Sequence, residues 1–322
     1  MRLLASSSPV LWMYCDRRLP KVALTTNQGG FVGTVNLLNT GGVPFLMLRG
    51  ICVVRTGQQP DGDTLAFAAA KAYKSNRVKT NVPVDPSGKR TVNIRLQSID
   101  APEKAQPLGA KARDALLKKV GISPKAMGLT DQDFTADGPL TAVPAWLATH
   151  GLDGNQRPLG YIFPSLSGFA HGQEVSAAAV TPLVKSSVNH SQAARGHAFP
   201  AYYDNTEEAH ALVFQAAAAA ARNRSLGVWA VDATTRGFVP TKSALTAAGA
   251  LVYPKFFRRV QEWNDPAPTV AKFIRWLKAQ SDGQKLVLGA ERDPLPLWKL
   301  FKTVDAKRVS VPYDVNKLWF SE

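Results

Sequence analysis

Asp61-Gly62-Asp63-Thr64 and Arg95-Leu96-Gln97-Ser98-Ile99-Asp100-Ala101-Pro102-Glu103 put four carboxylates and an arginine into two short blocks. Arg157-Pro158-Leu159-Gly160-Tyr161-Ile162-Phe163 adds a second arginine at the start of an apolar run. Arg95 and Arg157 are planar donors, each able to clamp a phosphate through paired hydrogen bonds. Asp63 and Asp100 suit a hard divalent cation, to which Ala101 contributes only its carbonyl. Glu103 is left to orient or deprotonate a water. Together these are the parts needed to cut a phosphodiester. Singly each is weak: an Asp-Gly pair also reads as a simple turn, and Asp100–Glu103 reads equally as a structural loop. Strict alternation along a strand also separates Arg95 from Asp100, so a bulge or bend must bring both to one cleft.

These residues need elements to position them. Phe45–Leu48, Ile51–Val54, Leu65–Phe67 and Val92–Leu96 read as strands, with the polar stretch Ser75–Gly88 between the last two. Leu108–Val120 is a helix candidate with Ala112, Ala115, Leu116 and Val120 on one face. Residues 121–139 read as an insertion. Thr141–Thr149 and Leu159–Phe163 form a hairpin pair around Gly151–Asn155. Glu174–Arg195 has helical stretches ending on Gly196, and Glu207–Asn223 is a helix that Asn205 or Thr206 can cap. Tyr253–Trp263 and Thr269–Gln280 carry apolar residues at helical spacing, and Leu286–Gly289 and Val309–Pro312 are short β-like runs. Earlier in the chain, Lys21–Thr26 and Phe31–Leu38 are β-like too. Short strands with one interposed helix fit a small closed barrel of the oligonucleotide-binding type.

The 322 residues carry 39 Lys and Arg against 24 Asp and Glu, a formal charge of +15. Such a field attracts polyanions, nucleic acid first among them. The two cysteines, Cys15 and Cys52, form no zinc-binding spacing and leave a single disulfide or two thiols equally open. The five histidines have no metal-ligand spacing either. No run of about 18 apolar residues exists, so no membrane span is expected. Met1–Ala5 begins like a signal peptide, but Ser6-Ser7-Ser8-Pro9 interrupts it. The compartment is unknown, with cytoplasmic favoured over secreted.

The motifs D-G-D-T at 61–64, R-L-Q-S-I-D-A-P-E at 95–103, R-P-L-G-Y-I-F at 157–163, V-N-x6-G at 188–196 and L-G-V-W at 226–229 appear in one order. In that order the chain resembles the staphylococcal nuclease family from about Pro44 to Trp229. The resemblance implies a calcium-dependent phosphodiesterase that cuts DNA and RNA. By position, Asp63, Asp100 and the Ala101 carbonyl are similar to the calcium ligands, with magnesium as the other hard ion. Arg95 and Arg157 are similar to the arginines that grip the phosphate, and Glu103 to the residue that activates water. Tyr202 and Tyr203 resemble the tyrosines of the substrate pocket. Asn155 and Gln156 stand before Arg157 where the family often has a tyrosine, and Asp204–Glu208 is acidic where a basic loop is usual.

The expected fold is α+β: a five-stranded oligonucleotide-binding barrel with about three helices over 43–234, an N-terminal extension over 1–42 and an α/β accessory region over 235–322. The expected partner is DNA or RNA. The alternative is a barrel that binds nucleic acid or protein without cutting it. In the accessory region, Lys255, Arg258, Arg259, Lys272, Arg275 and Lys278 read as an extension of the nucleic-acid track or, more simply, as solvated charge on two docked helices.

Overall fold

A computed structural model describes residues 42–321 apart from 247, 264 and 289–293. The N-terminal β-like runs and Cys15, and with it any pairing to Cys52, lie outside the described residues. The two apolar runs after Pro44 form one strand, β1 (Phe45–Val54). Its midpoint, Gly50, lies so close to β2 (Thr64–Ala69) that a Cβ there would meet the Ala68 carbonyl oxygen at 2.1 Å. Glycine thus permits the close approach that lets β1 serve two neighbours. β3 (Val92–Leu96) is followed by a two-residue turn and the short β4 (Ile99–Asp100). After helix α1 (Gly109–Val120) come β5 (Thr141–Leu152) and β6 (Pro158–Phe163).

The strands run in the order β2-β3-β6-β5-β1, and β1 pairs back to β2, closing a five-stranded barrel. β7 (Gln173–Val175) adds to the far edge of β1. Residues read as helical after Glu174 divide into α2 (Ala177–Val180) and α3 (Val188–Ala194), followed by β8 (Phe199–Pro200) and β9 (Tyr202–Tyr203). The long helix α4 spans Glu208–Asn223, and α5 spans Val228–Val231. Neither Asn205 nor Thr206 caps α4. Glu207 stands at its start without a side-chain cap, and Thr206 Oγ1 accepts instead from the Tyr203 amide (3.0 Å).

The apolar core around the barrel includes Phe67, Ile94, Leu116, Leu147 and Phe163, all fully buried. Each such side chain contributes about 1.5–3 kcal/mol. Buried polar groups tie the helices to the barrel. Asn189 on α3 donates to the carbonyls of Gln97 (2.9 Å) and Gly160 (3.0 Å) and accepts from the Ile162 amide (3.2 Å). Arg113 on α1 is wholly buried and donates to the carbonyls of Thr130 and Asp133, so it anchors the 121–139 insertion.

The rest of the chain forms a second apolar cluster that includes Phe199 and the α4 residues Ala218 and Ala221. Its elements are α6 (Pro254–Glu262), α7 (Val270–Ala279), α8 (Ser281–Gln284), β10 (Leu286–Leu288), β11 (Pro294–Pro296), α9 (Leu297–Leu300), β12 (Lys302–Thr303), β13 (Val309–Ser310) and β14 (Trp319–Phe320). β14 pairs in parallel with β9, Trp319 opposite Tyr202 and Phe320 opposite Tyr203. Val43–Glu322 thereby make one compact unit, and the last strand lies beside a strand that precedes α4. Among the described residues, no helix is long and apolar enough to cross a membrane.

Candidate active site

β3 is the strand around which the site assembles. Its antiparallel register with β2 sets Thr64 opposite Arg95, and its parallel register with β6 sets Arg95 opposite Leu159. The first pairing delivers Asp63 and the second delivers Arg157, each just beyond the end of its strand. Ser98, with φ of 67°, turns the chain between β3 and β4. This reversal is the bend that alternation required: Arg95 Nη2 donates to Asp100 Oδ1 at 2.8 Å across the turn.

Gly62 allows the first block to sit against this turn. A Cβ at that position would lie 2.6 Å from the Ala101 Cβ and 2.7 Å from the Ala112 Cβ. The glycine is therefore needed for close packing against α1. Gln192 of α3 locks the arrangement by donating to the carbonyls of Gly62 and Ala112, both at 2.9 Å. Asp63, held in this way, accepts the Ala101 amide on Oδ2 (2.8 Å) and pairs with Arg95 through Oδ1.

Asp100 is completely buried. Its second partner comes from α6: Arg258 Nη2 reaches Asp100 Oδ2 at 2.8 Å, and Arg258 Nη1 lies 3.2 Å from Oδ1 and 2.6 Å from Glu103 Oε1. A single guanidinium thus bridges two of the residues singled out in the sequence. Burial works against an ionised Asp100, but Arg258 and then Arg95 outweigh it and bring its pKa down to about 2. Burial raises the Glu103 carboxyl above its usual range despite Arg258. Asp61 is raised to about 7 by burial and by the neighbouring Asp63 carboxylate.

Arg157 is oriented separately. Asp153 Oδ2 accepts from its Nε (2.8 Å) and pairs with its Nη2 (2.7 Å), while Oδ1 accepts from the Arg157 amide (2.8 Å). The guanidinium remains about one-third exposed (32%) and faces the same cleft as Asp63, Arg95, Glu103, Tyr203 and Arg258. The cleft encloses about 640 Å³. Asp100 lies beneath its wall, covered by Arg95 and Arg258. Lys255 also lines it, with Nζ 4.8 Å from the Tyr203 ring and 4.6 Å from the Phe320 ring, a cation–π arrangement. Burial, and after it Arg258, lower the Lys255 pKa to about 8.

The structure brings Asp63, Arg95, Asp100 and Glu103 into one charged cluster and places Arg157 and Tyr203 on the same cleft. Tyr202 requires a correction: it is fully buried, its ring packed 5.2 Å from that of Trp319. Adjacent residues of a strand face opposite ways, so of the two Tyr203 lines the cleft and Tyr202 does not. Lys255, Arg258 and Asp153 were not identified as site residues from sequence. Arg258 shows there only as one basic position on an amphipathic helix, and Asp153 only as part of a turn.

A divalent cation fits this arrangement poorly. Calcium takes six to eight oxygen ligands. Here all four carboxylate oxygens of Asp63 and Asp100 already accept from a guanidinium or a backbone amide. At Ala101 it is the amide that engages Asp63. Among the described residues, no group of three or more His, Cys, Asp or Glu side chains is placed to hold a metal ion.

No curated protein matches the chain in sequence. Residues 93–231 match the family model described as staphylococcal nuclease homologue. That segment starts after the Asp61–Thr64 block, which connects β1 to β2, the two strands whose pairing closes the barrel. The chain therefore carries a staphylococcal-nuclease-like domain.

Proposed function

We propose that the cleft hydrolyses phosphodiester bonds of nucleic acid, DNA or RNA, by attack of water on phosphorus. The observation that carries this reading is the convergence on one cleft of two strand-end arginines, Arg95 and Arg157, with the acid Glu103. The backbone phosphate lies against the guanidinium groups, which neutralise charge as it builds on the non-bridging oxygens. Glu103, its basicity raised by burial, takes a proton from the attacking water. The phosphorus–oxygen bond in line with that water breaks, and the departing sugar oxygen is protonated from solvent. Tyr203 and Lys255 line the same cleft, where a base of the bound strand would lie. The charge of +15 draws the polyanion in. Calcium is the ion the family resemblance suggests, but no step is assigned to it, because the carboxylates that would bind it are already engaged.

Arg157 offers the cleanest test, since its side chain is part-exposed and pairs with Asp153 rather than with Asp63 or Asp100. Arg157→Ala is expected to slow the cutting of denatured DNA and of RNA by about 10²-fold. Thermal stability should fall, since Asp153 is buried and loses its partner, but by less than where one arginine serves two buried carboxylates, because Asp153 Oδ1 keeps the amides of Asn155 and Arg157. Cutting at the wild-type rate would remove Arg157 from the site. An oligonucleotide bound by the wild-type protein with no product formed would instead identify a binding module.

A further inference from the structure

We infer that Arg258 takes the place of the divalent cation in this cleft, so that the phosphate is held and cut without calcium. The inference deepens the proposed function and rests on the cleft being a phosphodiester site. Its basis is geometric: one guanidinium bridges Asp100 and Glu103 through contacts of 2.8, 3.2 and 2.6 Å, the task a metal ion performs between two carboxylates. Arg258 and Arg95 line the cleft, and Asp100 lies beneath them without exposure. An entering phosphate therefore meets cationic groups first, whereas a metal ion has to displace a guanidinium to reach its ligand.

Arg258 is built in firmly. α6 begins with a proline at its first turn and buries Phe256, Phe257 and Val260 on its inner face. The preceding Tyr253 donates its hydroxyl to the Pro200 carbonyl at 2.9 Å. Gln106 ties the two halves of the bridge together: its Oε1 accepts from the Glu103 amide (3.0 Å), and its Nε2 donates to the Val252 carbonyl (2.7 Å). The Glu103 turn and the segment entering α6 thus share one buried side chain. This bracing marks Arg258 as a fixed member of the site rather than a plug on a loose arm.

The test titrates calcium chloride calorimetrically into the full chain and into Arg258→Ala and Arg258→Gln. In parallel it measures the anisotropy of a labelled single-stranded oligodeoxynucleotide in calcium or in chelator. The wild-type protein is expected to give no calcium isotherm and to bind the oligonucleotide equally in both buffers. Loss of the guanidinium should tighten calcium binding by at least about tenfold and weaken the oligonucleotide by about tenfold in chelator. Arg258→Gln keeps a hydrogen-bonding side chain and guards against misfolding of the alanine variant, and the wild-type measurements need no variant. Equal calcium affinity in all three proteins, or wild-type oligonucleotide binding that vanishes in chelator, overturns the inference. Calcium-dependent cutting by the variants where the wild-type protein cuts nothing also overturns it, by making Arg258 an inhibitory plug. If none of the proteins cuts but the calcium and oligonucleotide results are as expected, the assignment of Arg258 stands and only the hydrolytic reading fails.

Discussion

Arg95→Ala is expected to lower nucleic-acid cutting by about 10³-fold and to destabilise the fold by about 3–5 kcal/mol. Both effects come from one guanidinium with two duties. Arg95 lines the cleft, and it is a partner of the nearly buried Asp63 and the fully buried Asp100. Its loss leaves two carboxylates short of compensation in a desolvated site, and removing one member of a buried ion pair costs more than the pair itself contributes. Arg157→Ala has a smaller second effect, because Arg157 serves one buried carboxylate, Asp153, whose Oδ1 also accepts the amides of Asn155 and Arg157. Urea denaturation and a cleavage assay on the same preparations check the contrast. An Arg95→Ala protein as stable as the parent would contradict the ion pairs described here.

The second large effect belongs to Asp100, which joins the two guanidinium groups from below. Asp100→Asn leaves Arg95 with Asp63 alone and Arg258 with Glu103 alone, and a loss of about 2–3 kcal/mol is expected at neutral pH. The pH dependence gives this its signature. The folded pKa of about 2 lies below the ordinary 3.8, so the stabilisation is complete above about pH 4 and is lost as the pH falls through 2. The difference between the parent and Asp100→Asn in urea denaturation should accordingly be constant from pH 7 to pH 5 and shrink below pH 4. A difference that grows towards acid would place the charge elsewhere.

Much of the architecture was legible because local rules and tertiary packing agree. The apolar face of α1, the alternation in β5 and the alanine-rich α4 each specify one element, and the order of strands specifies the closed barrel. The placement of Arg95, Arg157 and Asp63 at strand ends was legible with them, and the register aligns those ends. What remained hidden depends on long-range contacts or on single backbone angles. The left-handed Ser98, which bends Arg95 towards Asp100, has no sequence signature. Tyr202 is buried by a strand that arrives more than a hundred residues later. Arg258 meets Asp100 and Glu103 across sequence separations of 158 and 155, and on its own helix it has the same period as a solvated charge. Thr206 looked like a cap, but its hydroxyl is used in the turn after Tyr203.

The most direct test of the central claim is the rate of phosphodiester hydrolysis in a labelled single-stranded DNA by the wild-type protein and by Glu103→Gln, measured at equal occupancy. Glutamine keeps the shape and accepts a hydrogen bond from Arg258 but cannot take a proton. The account predicts cutting by the wild-type protein and a rate about 10²-fold lower for the variant, with oligonucleotide affinity little changed. Equal rates for the two proteins, or no cutting by the wild-type protein, would contradict it.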